Sequence, residues 1–584
     1  MKVAVNRICA PVTCAFVVLL SALVIWPVVE LGVNDEWSYV KTVQVLAQTG
    51  HIVYNGWSAA ILGWQLYLGA LFVKLFGFSF TTIRLSMLVV SIATAFLSHR
   101  VMVLCGINDW NATAGTLALV LSPLFLPLGM TFMTDVPGFF CIVLCFYACL
   151  RALQAETDNA AIAWICFAAV TNAIGGTVRQ IAWLGVLVMV PSTLWLLRRR
   201  PRLIAVGAFI YVACIAFIYG ALRWFHLQPN SVREGLIQGT LTPRTPFHAI
   251  WTLLFSVPEL ALLLLPLLLC FVPAVPLRNR RAVQLLAAGG LAWVAFASVV
   301  AYRQQQDWIL PYFSSYISVY GIMQVDLPHG TTPVVLNYGS RLVLTCLTAL
   351  AMICFVAVVA VRERTGPTTP ASVLNSRSCI SWRDLGVLLV PVTLSYFVLL
   401  LPRAAFQTIY DRYFLPLMLL AMIPVLRCYQ ERVQPRLPVA VALPIALYAA
   451  FAVAGTHDYF SRARASQAAI RELRSRGIPP LAIDGGWEYN GWNQIEQANF
   501  IHETRTPALP LDHSKNSFGA CRPQSFAWFP VLRPRFGLAT SEADCLGSAG
   551  FAPVQYHTWL GPHDRAIYIV KVGRPGPAQL ASGQ

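Results

Sequence analysis

Asp35, Glu36 and Tyr39 stand in NDEWSY, directly after an apolar run from Pro11 to Leu31. Adjacent carboxylates at the mouth of a membrane helix are poor packing groups, because each charge is costly wherever water is scarce. Proton transfer is the chemistry two such acids can do. On a helix they point about 100° apart, so one can face a reaction while the other orients its surroundings. The competing account is a helix cap, in which Asn34 or Asp35 caps a helix starting at Trp37 and the acids favour its positive N-terminal dipole. A third acid, Asp135 in FMTDVPG, precedes Val136-Pro137 at another helix mouth, where Thr134 or Asp135 is also a natural cap. Two arginines complete the group: Arg179 in GGTVRQ follows a glycine pair that permits close backbone approach, and Arg412 lies in YDRYFLP. A guanidinium in either place can grip a phosphate bidentately or snorkel to the membrane interface.

The elements that must position these residues are membrane helices. Of 584 residues, 57% are hydrophobic and 11% charged, with a mean hydropathy of +0.63, far from the roughly 25% charged residues of soluble proteins. The formal charge of +17 arises from short arginine clusters between apolar runs, which is how topology is set; no nucleic-acid partner is implied. Thirteen candidate spans follow: 11–31, 82–103, 112–130, 136–153, 160–175, 180–197, 203–222, 249–273, 283–301, 341–361, 384–402, 413–428 and 437–455. The first is expected to be a retained anchor, since no small-residue cleavage site precedes Glu30.

The connections on the side of residues 1–10 hold 18 Lys and Arg, including RRRPR at 198–202 and RNRR at 278–281, against 11 on the other side. By the positive-inside rule the richer side is cytoplasmic. Asp35, Glu36, Asp135, Arg179 and Arg412 then share the outer face. GWQLYLGALFVKLFG in the first outer segment is expected to lie in the interface, because counting it as a span would place RRRPR outside. The outer loops 223–248, with Arg223, His226, Arg233 and Glu234, and 302–340, with Arg303, Gln304 and Asp307, are candidate substrate covers. Residues 456–584 change composition: a charged helical stretch, the strand-like LAIDGG and a closing AIYIVKV describe a small extracytoplasmic α/β domain after a transmembrane domain of residues 1–455.

Taken together, NDEWSY, LFGFSFTTIR, the FMTDVPG acid, GGTVRQIAWLG and DRYFLP resemble, in order and spacing, the GT-C glycosyltransferases. They are most similar to the superfamily of protein O-mannosyltransferases and aminoarabinose lipid A transferases with their bacterial membrane-bound relatives. The resemblance covers roughly residues 1–200 and, more loosely, 405–425. It implies a mainly α, polytopic GT-C helical bundle in the bacterial cytoplasmic membrane. It also implies inverting transfer of a hexose or pentose from a polyprenyl-phosphate donor to a hydroxyl on a glycan, lipid or protein. Asp35, Glu36 and Asp135 would be catalytic, Arg179, Arg412 and Arg84 would hold the donor phosphate, and Tyr39, Gln180 and Tyr413 would touch substrate. In place of the Glu-Lys-Pro-Pro or His-Pro-Pro of those enzymes this chain reads GWSAAILGW at Gly56–Trp64. That removes a metal-ligating residue, so no cofactor and no obligatory metal are expected.

A secondary transporter is the alternative, since intramembrane acids also relay protons. Repeated halves and interrupted helices at matching positions are its signature, and neither is visible. Of the 15 cysteines, Cys141, Cys145 and Cys149 line one helix face as ordinary packing, while Cys521 and Cys545 stand alone in the outer domain. A disulfide between those two, closing a turn-rich segment, would contribute ~3 kcal/mol. Thiol labelling before and after reduction tests it: protection until reduction is expected, and full labelling beforehand removes the bridge.

Overall fold

Apolar runs in a membrane fold as helices because every backbone N–H and C=O must find its partner within the segment. The computed structural model describes residues 2–233, 240–304, 309–323, 332–362, 380–406, 409–501, 529–541, 549–561 and 564–571. Cys521, Cys545, Glu234, Asp307 and the side chains of Arg303 and Gln304 lie outside the described residues.

In chain order the helices are α1 (Lys2–Ile25), α2 (Glu36–Thr49), α3 (Gly63–Phe76), α4 (Phe80–Leu104), α5 (Asp109–Val120), α6 (Phe125–Gly129), α7 (Asp135–Leu153) and α8 (Asp158–Gly175). Then come α9 (Gln180–Leu196), α10 (Pro201–Leu227), α11 (Thr245–Leu263), α12 (Leu265–Ala274), α13 (Arg280–Gln304), α14 (Tyr338–Val361), α15 (Trp382–Phe406), α16 (Asp411–Arg432), α17 (Val439–Ser475) and α18 (Trp487–Ala498). Ten of them, α1, α4, α7, α10, α11 and α13 to α17, are long and apolar enough to cross a membrane.

The other three expected spans are helical but not simple. The run 112–130 breaks at Ser122-Pro123, where the Ser122 hydroxyl accepts the Phe125 N–H at 3.0 Å and starts α6 afresh. Polar residues open α8 with Asp158 and Asn159. In α9 a 3₁₀ turn and a π turn over Gly185–Met189 precede the α segment, and the irregularity has a cause. Asn172 Oδ1 accepts the Val186 N–H at 2.7 Å while its amide donates to the Cys141 carbonyl at 3.2 Å, tying α8, α9 and α7 together. The helix α3 has only 14 residues, with Tyr67, Leu71, Leu75 and Phe76 exposed, as expected of an interfacial helix.

Helix alternation separates the charges. At one end Arg432 reaches the Val359 and Arg362 carbonyls, Arg427 bonds Glu431 at 2.9 Å and the Cys105 carbonyl at 3.2 Å, and Gln430 donates to the Gly106 carbonyl at 3.0 Å. Asp35, Asp135, Arg179 and Arg412 stand at the opposite end.

At that end the chain leaves the bundle on α17, which runs unbroken from its apolar half into the charged stretch SRARASQAAIRELRS. The composition change at 455/456 thus falls inside a helix and not at a hinge. Ala465, Ala469, Ile470 and Leu473 of that helix form one core with Ile483, Leu538, Ile567 and Ile569. These belong to β3 (Ile483–Asp484), β4 (Phe536–Ala539) and β6 (Asp564–Lys571), with β5 (Val554–His557) at the edge in the order β3-β4-β6-β5. The β3–β4 pair is parallel and the others antiparallel. A two-residue hairpin, β1 (Ile317–Ser318) with β2 (Gly321–Ile322), folds in the loop before α14.

This small domain is seated on the first inter-helix segment. Trp37, fully buried, lies 5.4 Å from Trp57 and 6.1 Å from Phe529, and Trp487 is 5.4 Å from Trp57 and 5.0 Å from Phe529. Gly491 on α18 presses flat against this cluster, since a Cβ there would come 2.7 Å from the Trp37 ring. Gly491→Val should therefore lift α18 from α2, accelerating proteolysis within 456–584 and lowering the thermal midpoint at unchanged helical content. An unchanged proteolysis rate would show that this seat does not hold the domain.

Candidate functional site

Asp35 sits at the turn into α2, preceded by Asn34 in a left-handed conformation (φ 52°) that Asn tolerates better than most residues. Asn34 is fixed from the small domain, because its N–H donates to Glu488 Oε1 at 3.1 Å. Asp35 makes no side-chain cap to α2. Instead Oδ1 accepts the Trp57 indole N–H at 2.9 Å and Oδ2 faces Arg412 Nη1 at 4.0 Å, with the side chains 17% and 14% exposed. Burial raises the Asp35 carboxyl above the usual range; Arg412 and the Trp57 hydrogen bond oppose the shift, and the Asp135 charge adds to it. This carboxylate keeps one oxygen oriented and the other reachable.

Asp135 opens α7 and forms an ion pair with Arg179, which lies between α8 and α9. Its side chain is 2% exposed, and its second oxygen has no hydrogen-bond partner among the described residues. The glycine pair before Arg179 serves the approach foreseen for it: a Cβ on Gly175 would strike Cys141 of α7 at 2.6 Å. Burial depresses the Arg179 guanidinium, but Asp135, Tyr413 and Tyr396 together outweigh it and the net shift is upward.

Arg412 enters from the start of α16, immediately after Asp411. Asp411 is fully buried and accepts the backbone N–H groups of Ser315, Tyr316 and Ile317 at 3.2, 2.8 and 2.7 Å, and that of Arg412 itself at 2.7 Å. It thereby staples the β1–β2 loop beneath the site. Tyr413 is the floor, with the guanidinium carbons of Arg179, Arg403 and Arg412 at 5.0, 5.4 and 5.9 Å from its ring. Arg412 Nε and the Tyr316 hydroxyl are buried without a partner among the described residues. Three guanidiniums thus gather against the Tyr413 ring, with the carboxylates of Asp35 and Asp135 facing Arg412 and Arg179.

Glu36 and Arg84 are placed elsewhere. The Glu36 carboxylate is fully buried and receives Arg84 Nε at 3.0 Å on one oxygen and Nη2 at 2.5 Å on the other, with the Phe132 N–H at 2.7 Å and the Val33 N–H at 2.9 Å. Arg84 also donates to the Val29 and Leu31 carbonyls at 2.8 and 2.6 Å. Both side chains are engaged in closing the turn between α1 and α2 onto α4, away from the Tyr413 floor. Tyr39 is buried on α2 within electrostatic reach of Asp35, Arg412, Asp135 and Arg179, and its hydroxyl pKa is raised first by burial and then by Asp35. The Gln180 amide donates to the Ala59 carbonyl at 3.1 Å, holding the 56–64 segment. Among the described residues no three His, Cys, Asp or Glu side chains converge as a metal site. Trp57, Asp411 and Glu488 were not singled out in the sequence, although an acid directly before Arg412 was a readable signal for the second.

No family model and no curated protein matches the sequence. Among solved structures, ArnT from Cupriavidus metallidurans bound to undecaprenyl phosphate aligns at 14% identity and a TM-score of 0.37, over 95% of this chain and 97% of that one. Archaeal oligosaccharyltransferase AglB from Archaeoglobus fulgidus, in complex with an inhibitory peptide and a dolichol-phosphate, aligns at 12% identity and 0.40, over 90% and 69%. The S. cerevisiae protein O-mannosyltransferase Pmt1-Pmt2 complex bound to the sugar donor aligns at 14% identity and 0.30, over 37% of this chain and a third (33%) of that one. With every score below 0.5, the functional reading rests on the site's own geometry.

Removing one member of a buried ion pair strands the other, at about 3–5 kcal/mol. Arg84→Met and Glu36→Gln should each lower the thermal midpoint in detergent, and the double substitution should cost less than the sum of the two. A Glu36→Gln protein with unchanged stability and abolished turnover would instead give Glu36 a chemical role.

Proposed function

We propose that the chain is an inverting glycosyltransferase that moves a sugar from a polyprenyl-phosphate donor to a hydroxyl acceptor at the outer face of the membrane. The observation that carries this reading is the Asp35 carboxylate facing the Arg412 guanidinium at 4.0 Å beside the Tyr413 ring, with Asp135 and Arg179 alongside. The arginine clusters at the far end support the orientation, by the positive-inside rule.

Asp35 Oδ2 takes the proton of the acceptor hydroxyl as its oxygen attacks the anomeric carbon. The bond from that carbon to the phosphate oxygen breaks, its electron pair leaves with the phosphate, and the sugar changes configuration. Arg412 and Arg179 meet the charge that grows on the departing polyprenyl phosphate. Asp135 holds Arg179 in place, and Glu36 with Arg84 holds the turn that presents Asp35. Trp57 fixes the carboxylate rotamer, and its hydrogen bond tempers the upward push that burial gives the Asp35 pKa. The base works ionised, so turnover falls as pH drops through that raised pKa.

Transfer from a radiolabelled polyprenyl-phosphate sugar in proteoliposomes tests the reading. Asp35→Asn should lower turnover by ~10²–10⁴ with donor binding retained. Trp57→Phe should move the acidic limb of the pH profile to higher pH, because it removes an interaction that favours the ionised form. Wild-type turnover in Asp35→Asn would end the assignment of Asp35.

A further inference from the structure

A cavity of about 290 Å³ lies where α17, the β5–β6 edge of the small domain and the end of the loop before α14 meet; Thr332 and Pro333 of that loop form part of its wall. Its polar lining is dominated by Arg462 and Arg565, with Tyr556, Tyr568, Gln555 and one acid, Asp564. The volume sits at the small end of the ~300–1,000 Å³ of small-molecule sites, about right for one sugar ring and its substituents.

Among the described residues neither arginine forms an ion pair with a carboxylate, although Arg462 lies within electrostatic reach of Glu488. Arg462 is only 7% exposed, its guanidinium lies 5.4 Å from the Tyr459 ring, and its Nη1 has no hydrogen-bond partner among the described residues. Arg565 donates through Nη2 to the Leu560 carbonyl at 3.2 Å, while its Nε is buried and equally without a partner. Asp564 does not neutralise them: its side chain is 90% exposed and pairs with His557 at 3.7 Å. Both residues line the cavity, and an anionic oxygen is the natural complement of a guanidinium there.

We propose that this cavity binds a saccharide through an anionic oxygen substituent, a carboxylate or a phosphate ester, gripped by Arg462 and Arg565. The tyrosine rings offer flat apolar surface to the C–H face of the ring, and Gln555 a hydrogen-bonding edge to its hydroxyls. The cavity also touches the catalytic turn through the structure. Arg462 lies on the ring of Tyr459, the Tyr459 hydroxyl donates to Glu488 Oε1 at 3.4 Å, and the same oxygen accepts the Asn34 N–H beside Asp35. Resting on the glycosyltransferase reading, we assign the cavity to an acidic sugar of the acceptor, which makes charged glycans the acceptor class.

The experiment uses the full chain in nanodiscs carrying Asp35→Asn, so binding is measured without turnover. Methyl glucuronide, glucose 6-phosphate, neutral methyl glucoside and inorganic phosphate are titrated by calorimetry. The two acidic sugars should bind at least about ten-fold tighter than methyl glucoside, and about ten-fold weaker in Arg565→Gln and Arg462→Lys proteins of wild-type thermal midpoint. Equal affinity for the neutral sugar, or affinities unmoved by both substitutions, overturns the proposal. Inorganic phosphate binding as tightly as the sugar phosphate overturns its saccharide part. The glycosyltransferase reading fails separately, through full turnover in Asp35→Asn; acidic-sugar binding would then stand without its acceptor role.

Discussion

Charge buried at the end of a membrane bundle must be met by opposite charge or by backbone dipoles, and the Asp35 end of this protein is built around that requirement. Three acids there are handled in three ways. Glu36 is matched by one arginine and two backbone N–H groups, and so closes the α1–α2 turn. Asp411 is matched by four backbone N–H groups and pins the β1–β2 loop. Asp35 alone has a neutral donor on one oxygen and a cation at arm's length on the other. The contrast in satisfaction separates these groups: those whose bonding is complete hold the shape, and the incompletely bonded Asp35, Arg412 and Asp135 gather near Tyr413.

The small domain is part of the same arrangement. Its aromatic residues cover Trp37 and Trp57, and Glu488 fixes the backbone directly before Asp35. Because α17 is continuous from the bundle into that domain, movement at its cavity has a short, stiff route to the turn that carries Asp35. The Glu488–Asn34 contact spans 454 positions of sequence, so the backbone beside Asp35 has this support only when the small domain is docked.

Much of this was legible beforehand. Apolar length placed the spans, because the bilayer allows few alternatives, and charged residues at the ends of those runs picked out Asp35, Asp135, Arg179 and Arg412. The sequence could not tell Asp35 from Glu36: neighbours of like chemistry differ only in the direction they point, and Arg84, which engages Glu36, lies 48 positions away. Trp57 and Glu488 carried no local signal for the same reason. The break in 112–130 was readable from Ser122-Pro123, whereas the π turn in α9 depends on Asn172 of another helix. The anion-seeking cavity was invisible, since Arg462 and Arg565 look like surface charges until the sheet folds onto α17.

Binding without turnover shows whether Arg179 and Arg412, beside the Tyr413 ring, hold a lipid phosphate. Native mass spectrometry of the protein with polyprenyl phosphate and with the matching neutral polyprenol, in wild type, Arg412→Ala and Arg179→Ala, measures the phosphate's contribution alone. Retention of the phosphorylated lipid over the alcohol is expected in wild type, with loss of that preference in both variants. Equal retention of the two lipids, or a preference that survives both substitutions, would contradict that hold on the phosphate.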